Sequence, residues 1–598
     1  MLKIRGAGLK RRGQGVWWPI LIALAVSQAH AGPLGLPDSA RPGAVRPDTT
    51  PAAAPKAPPQ AGVEVPPVID RPLGVDEGPR VQVAQFELVD ARDLPRYKVK
   101  VSEIQSLVDA KGATYTEGLT IGQMQEVAEV VTQYYREKGL ILAQAVVPVQ
   151  TVQGGVIKIQ VYEGKLGRVI PEGNSMYSNV VLEGPFKKLI GEPVTKDDIE
   201  SALLQLTDFP GLTVFGVFQP GQLVGVADLV LRVQEEKRFD VAYRADNHGI
   251  KTTGRHRFRP TFEWNNVTGG ADHAAVTVQQ SYTPKNNTYL SFDYDRYLGL
   301  GFKAGAYYNK NDFDVGGDLK ERGISGKTIQ MGTWLDKSWF RSRQFNFSTR
   351  VELARKESRT FVKGDIRNRD RLSVLSFSGM LDQVDTRFKG INFATVEVSH
   401  GFNNVFGAMG SAKSALDYPT GYRPGRQGGS GDFAAGEFTK LFATASRLQT
   451  VRKNTSLLMR TEFQWSDDLL VPMEQYSVGG PDNLRAYGPA EVLLDRAWFM
   501  SAEVIQNMPF ITDVRAFGNR TWGELIQLSA FYDVVMGKLN DPLSSEKQGY
   551  VNFQGAGVQL RFTLPGKIES RIIGAWSLTR DAGNNRQPQA WADFTYRF

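Results

Sequence analysis

The sequence predicts a transmembrane barrel of sixteen antiparallel β-strands preceded by two small α+β units. Three observations carry this. From Arg238 to the last residue, apolar side chains recur at every second position, the period of a strand with one face in an apolar medium and the other in water. Ahead of that stretch, two segments of similar length repeat one element order, with helix-period stripes set between strand-period runs. The chain opens on a basic and apolar leader of the export type.

In the leader, 1–31, Lys3, Arg5, Lys10, Arg11 and Arg12 precede an apolar core from Val16 to Val26, and Ala29-His30-Ala31 supplies the small-x-small cleavage pattern. Pro19 interrupts that core, which falls short of the ~20 residues of a spanning helix. The next stretch, 32–80, is crowded with Pro and Ala and reads as an extended linker, because it has too little apolar surface to offset the entropy of ordering. It shows no capped helical stripe, and its prolines oppose one.

The first α+β unit, 81–164, reads strand, helix, helix, strand, strand. Thr120 and Gln123 form a capping box ahead of a stripe made by Ile121, Met124, Val127, Ala128, Val131, Tyr134 and Tyr135. Strands follow at 141–149 and 156–162 around a Gln153-Gly154-Gly155 turn. The second unit, 165–237, repeats the order, with a helix capped by Thr195 and Asp198 and strands at 212–218 and 224–233.

In the barrel, 238–598, Phe239, Val241, Tyr243 and Ala245 alternate with polar residues, and so do Leu290, Phe292 and Tyr294. Sixteen strands fit, at about 22 residues per strand and connection. If the first strand rises from the periplasm, the odd connections should be long and the even ones short. Long odd connections are expected near 247–254, 310–325, 356–368, 401–435, 467–494, 537–549 and 580–588. Two connections break the rule: 283–287 is a short odd one and 508–523 a long even one. The final strand places Phe594, Tyr596 and the terminal Phe598 on one face.

The connection between strands eleven and twelve, a long and well-marked loop, holds a tight reversal, GGPDNLRAYGP from Gly479 to Pro489. Gly479 and Gly480 allow positive φ and Pro481 fixes φ, so Leu484, Arg485 and Tyr487 are held at a defined point beyond the turn. Alternation puts Phe531 and Asp533 on the inner face of strand thirteen and Glu503 on the inner face of strand twelve. Both carboxylates thus face the lumen.

Leader, linker, two βααββ units, a sixteen-strand barrel and an Arg-bearing sixth loop together resemble the TpsB transporters of two-partner secretion, over essentially the whole mature chain. The βααββ units resemble periplasmic POTRA domains. In that family the sixth loop folds into the barrel and carries a motif close to Val-Arg-Gly-Tyr/Phe, matched here by Leu484, Arg485, Ala486 and Tyr487, with Ala486 where the family has glycine. The resemblance implies a pairing of Arg485 with an acidic residue near a Phe-x-Asp motif, here Phe531-Tyr532-Asp533, with the inward-facing Glu503 as a competing partner, and a bidentate contact of that kind suits a latch. It also implies a read-out of Phe598 by the barrel assembly machinery. The family often carries a pore-plugging N-terminal helix, for which 32–80 offers no pattern.

The implied function is translocation of an unfolded exoprotein with an N-terminal secretion domain from the periplasm to the surface of a bacterial outer membrane, among its lipids, with periplasmic chaperones acting during biogenesis. The POTRA-like units would hold cargo by β-augmentation at 212–218 or 141–149, or along the helix at 123–135, with Gln123, Val127, Tyr134, Val214 and Phe218 as candidate contacts. A barrel-insertion factor and a porin are the alternatives. No nucleotide-binding motif, catalytic set, metal-ligand spacing among the five histidines or cofactor signature stands out. The absence of cysteine excludes disulfides, zinc-thiolate sites and a Cys nucleophile. The formal charge of +8 draws partly on the leader and gives no support to nucleic-acid binding.

Overall fold

The computed structural model describes residues 41–43, 63–64, 77–282, 284–411, 418, 421–544, 546, 549–579 and 588–598. The predicted leader and most of the predicted linker lie outside these residues.

In the first α+β domain, Gln85–Val89 runs parallel to the central strand Val156–Tyr162, which pairs antiparallel with Gln144–Val146. The helices Val101–Gly112 and Ile121–Glu137 pack on this sheet. The second helix starts where the sequence places it, because the Thr120 hydroxyl accepts from the Gln123 amide and the Gln123 side chain accepts from the Thr120 amide. That cap and the core claim the residues expected to meet cargo. Gln123, Val127 and Tyr134 are all buried within the domain, and the Tyr134 hydroxyl donates to Glu103 at 2.7 Å. An apolar helix stripe is the face that a two-layer domain spends on its own sheet.

The second domain has the same order: Lys165–Glu172, helices Asn179–Glu183 and Lys196–Thr207, then Leu212–Pro220 and Val226–Glu236. Val214 and Phe218, also expected at a cargo surface, are in its core. The outer edge of Leu212–Pro220 is partly occupied, since Val63–Glu64 pairs parallel with Gly216 and Val217. The exposed polar row of an edge strand attracts any extended segment, and here the chain's own linker meets part of that demand.

Two carboxylates, the buried Asp228 and the half-buried Glu236, tie this domain together. Burial pushes Asp228 up, but the Arg168 guanidinium and amide, at 2.7–3.1 Å, outweigh it and leave the group below its ordinary pKa. Glu236 is likewise raised by burial and lowered further by the Ser175 hydroxyl and the amides of residues 175–177, with a net lowering. Groups with a lowered folded pKa contribute stability that is present above the unfolded value, about 4 for a carboxyl, and lost as pH falls through the folded value. Pulse proteolysis in urea is expected to show 165–237 weakening below about pH 4, and Glu236→Gln is expected to lower its stability at neutral pH while flattening that acid limb.

The barrel contains sixteen antiparallel strands among the described residues, closed by the last, Gln589–Arg597, against the first, Phe239–Asp246. Leu290, Phe292, Leu353 and Phe377 stand on its exposed outer face, as alternation requires. Phe598 extends the seam, its amide donating to the Val241 carbonyl at 2.9 Å and its carbonyl accepting from Lys237 at 2.6 Å. The expected long connection at 356–368 is instead a ladder. Strands seven and eight, Phe345–Val362 and Asp365–Asp385, stay paired up to Val362↔Asp365 and turn at Lys363 and Gly364. Polar residues on both faces erase the alternation there, while the backbone hydrogen bonds that make the strands persist.

The second domain meets the barrel at the turns between strands two and three, four and five, and six and seven. Asn266 donates to the Met176 carbonyl, Phe209 packs 5.0 Å from Tyr297, and Arg341 holds Asp208 with two bonds of 2.7 and 2.8 Å. At the opposite, loop-bearing end, Arg41 comes within 3.9 Å of Glu546, and Gly43 lies where a side chain would run into Met473. Residues 41–43 of the linker therefore lie at the loop end of the barrel, and residues 63–64 on the second α+β domain.

Candidate functional site

The sixth loop, 466–495, carries a short hairpin of its own, Tyr476–Val478 against Val492–Leu494. Past it the chain reverses at Gly479 and Gly480, with φ of 98° and 109°. A Cβ on Gly479 would lie 2.1 Å from the Gly488 carbonyl, so only glycine fits. The Gly480 amide donates to the Tyr487 carbonyl and the Tyr487 amide to the Leu484 carbonyl, making a compact tip with Leu484 fully buried.

That tip lies against the inner faces of strands twelve and thirteen, Arg496–Asn507 and Ile526–Lys538. Ser501, Glu503, Phe531, Asp533 and Val535 are buried beneath it, while Trp498, Val504, Leu528 and Tyr532 face outward. Arg485, 2 % exposed, engages both predicted partners at once. Its Nε and Nη2 donate to the two Asp533 oxygens at 2.9 and 2.8 Å, and its Nη1 donates to Glu503 at 2.6 Å. The choice between Asp533 and Glu503 does not arise, because the guanidinium fork has donors enough for both. The Arg485 amide also donates to Asp533, Nη2 reaches Ser501 at 3.1 Å, and the cation stands 3.3 Å over the Phe531 ring. Glu503 is completed by Ser529 and Gln559, and the Trp591 indole donates to the Arg485 carbonyl. Fully satisfied buried ions of this kind fix one arrangement, since removing one partner strands the other in a medium that penalises charge.

Tyr487 stacks on Phe553 at 5.1 Å, and its hydroxyl meets Ser577. Ala486 fits because strand fourteen, Tyr550–Leu564, carries Gly555 opposite it, where an added Cβ would stand 2.5 Å from the Ala486 Cβ. The alanine in the loop and the glycine in the wall are complementary in size. Gly555→Ala is expected to loosen the loop by about 1–3 kcal/mol, as overpacking does. Adding Ala486→Gly should restore it, which hydrogen exchange across 479–489 would read as protection lost and regained.

The sequence reading missed two further anchors. Asp482 accepts from Arg571 on strand fifteen at 2.7 Å, and Arg571 also holds Asp593 on the last strand at 2.7 Å. At the loop's base, the fully buried Glu474 takes Lys356 at 2.6 Å and Lys440 at 2.5 Å. Nearer the mouth, Arg426 of the fifth loop grips Glu546 of the seventh with bonds of 2.6 and 2.8 Å. Strand parity would have found Ser501, which shares a face with Glu503; no local signal pairs Glu474 with two lysines about thirty and more than a hundred residues away.

The family model described as haemolysin secretion/activation protein ShlB/FhaC/HecB matches residues 225–557, and the model of the ShlB-type POTRA domain matches residues 97–164. Among curated relatives, the heme/hemopexin transporter protein HuxB of Haemophilus influenzae is 22% identical over 493 residues, covering 80% of this chain and 82% of its own. The outer membrane transporter CdiB of Escherichia coli is 23% identical over 407 residues, covering 67% and 66%. The solved structure of CdiB from Escherichia coli superposes with a TM-score of 0.66 at 19% identity, over 90% of this chain and 94% of that one, which extends the shared fold to nearly the whole molecule.

Proposed function

The chain belongs to the haemolysin secretion/activation family of ShlB, FhaC and HecB, and from that premise we propose that it is the outer-membrane pore of two-partner secretion, carrying an exoprotein from the periplasm to the cell surface. The observation that carries the reading is a barrel whose own sixth loop occupies its inner wall, joined to two α+β domains at the periplasmic end. A porin needs neither. A barrel-insertion factor shares the fold, but the matched relatives are transporters.

In this reading Arg485 is the latch of the sixth loop, Asp533 and Glu503 are its keepers, and Phe531 is the platform under the guanidinium. Tyr487, Leu484, Gly479 and Gly480 hold the tip in shape. Cargo meets the backbone edge of Leu212–Pro220 on either side of the two residues already paired, because main-chain hydrogen bonds accept many sequences. The exposed terminal aromatic, Phe598, serves as the signal read by the barrel assembly machinery, and periplasmic chaperones keep the chain unfolded until then.

The test is co-expression in an outer-membrane-bearing host with a candidate exoprotein that carries an N-terminal secretion domain. Surface exposure of that protein only when this chain is present is the expected result. Retention in the periplasm, together with altered levels of unrelated outer-membrane barrels, would instead favour an insertion factor.

A further inference from the structure

The even connection between strands twelve and thirteen, 508–525, is far longer than a periplasmic turn needs, and neither the latch nor the cargo edge uses it. We propose that this turn is a membrane anchor that seats Phe510 and Phe517 in the headgroup and acyl boundary of the periplasmic phospholipid leaflet.

The turn is built, not slack. The Ala516 amide donates to the Arg520 carbonyl at 2.8 Å, the Trp522 amide to the Val514 carbonyl at 3.0 Å, and the Gly523 amide to the Thr512 carbonyl at 3.1 Å, folding the segment back on itself. A Cβ on Gly523 would stand 2.5 Å from Thr512, so the two limbs are in close contact. A capping box of Thr521 and Glu524 opens its single helical turn, Trp522–Leu525.

On this frame the apolar side chains are turned outward. Phe510 is fully exposed and held at a φ of 68°, a conformation that a bulky side chain rarely adopts. Val514 and Phe517 are half exposed. Phe517 has two ring partners, Trp522 at 5.8 Å and Phe562 at 6.2 Å. Phe562 lies on strand fourteen at the parity of Val558 and Leu560, which are exposed on the outer wall that faces lipid. The aromatic patch of the turn is therefore continuous with the lipid face of the barrel, at the depth where aromatic girdles mark the membrane boundary.

The periplasmic domain does not account for it. The turns that touch the second α+β domain lie between strands two and seven, on the other side of the barrel. Anchored here, the barrel is held on one side by protein and on the other by lipid.

The sequence has no cysteine, so single labels are unambiguous. Phe510→Cys and Phe517→Cys, each carrying a bimane label on the full chain, would be reconstituted in vesicles of phosphatidylethanolamine and phosphatidylglycerol containing a lipid with a doxyl group near the headgroup. Val149→Cys, on an exposed loop of the first domain, is the reference. Loss of emission at 510 and 517 with doxyl lipid, and none at 149, is the expected result. Quenching of both sites by aqueous iodide to the level at 149, without a doxyl effect, would overturn the proposal. So would shielding that appears only when an exoprotein secretion domain is added, which would make the patch a protein surface. Heat-modifiable gel mobility identifies closed barrels, and the exposed Phe510 site reports even if loss of the Phe517 stacking disturbs the turn.

Discussion

Replacing Arg485 with alanine is expected to release the sixth loop and cut exoprotein secretion by at least an order of magnitude. The substitution leaves Asp533 and Glu503 facing each other across buried ground with no cation between them. Breaking a buried ion pair from one side costs about 3–5 kcal/mol, which shifts the ratio of docked to free loop by roughly two to four orders of magnitude. Asp533→Ala should act in the same direction and less strongly, because Glu503 and Ser501 still hold the guanidinium. Arg485→Lys should fall between, since a point charge on a flexible stem cannot make two bonds to Asp533 while reaching Glu503. Secretion and single-channel conductance in planar bilayers are the two read-outs. Unchanged values for both Arg485→Ala and Asp533→Ala would remove the latch from the mechanism.

Glu474→Ala is expected to be the other severe lesion, located at the loop's base instead of its tip. Lys356 and Lys440 would lose their shared carboxylate while remaining enclosed by the wall, again at about 3–5 kcal/mol. Glu474→Gln keeps the shape and an acceptor but not the charge, and should fall short of full rescue. The measurement is protease cleavage within 466–475 on intact cells, with the barrel itself still heat-modifiable. Resistance equal to that of the unaltered chain would mean that the hairpin alone positions the loop.

The barrel was legible because its physics is local. A strand between lipid and water needs alternation, and Leu290, Phe292 and Leu353 display it within a few residues. Turn chemistry placed Arg485 and strand parity turned Asp533 and Glu503 inward, while the pairing itself was legible only through the family resemblance. Glu474 with its lysines, and Gly555 opposite Ala486, could not be read, because each is a fact about residues brought together from distant strands. The ladder at 356–368 was hidden for a different reason: above the membrane a strand loses its apolar face but keeps its hydrogen bonds. The cargo candidates Gln123, Val127, Tyr134, Val214 and Phe218 were drawn from amphipathic patterns, and such patterns name the core before they name a partner.

The seam of the barrel also dictates an order of events. Its closing ladder joins the first strand to the last, and the Lys237 contact with the Phe598 carbonyl spans 361 residues of chain. Closing a loop of that length is entropically costly, and the contact cannot form until the last strand has been synthesised and exported. Every earlier intermediate has an open strand at each end, a template for mispairing with other chains. Closure is thus the last step of biogenesis, and a truncation of even the final strand should yield a kinetically trapped, protease-sensitive chain instead of a slightly smaller pore.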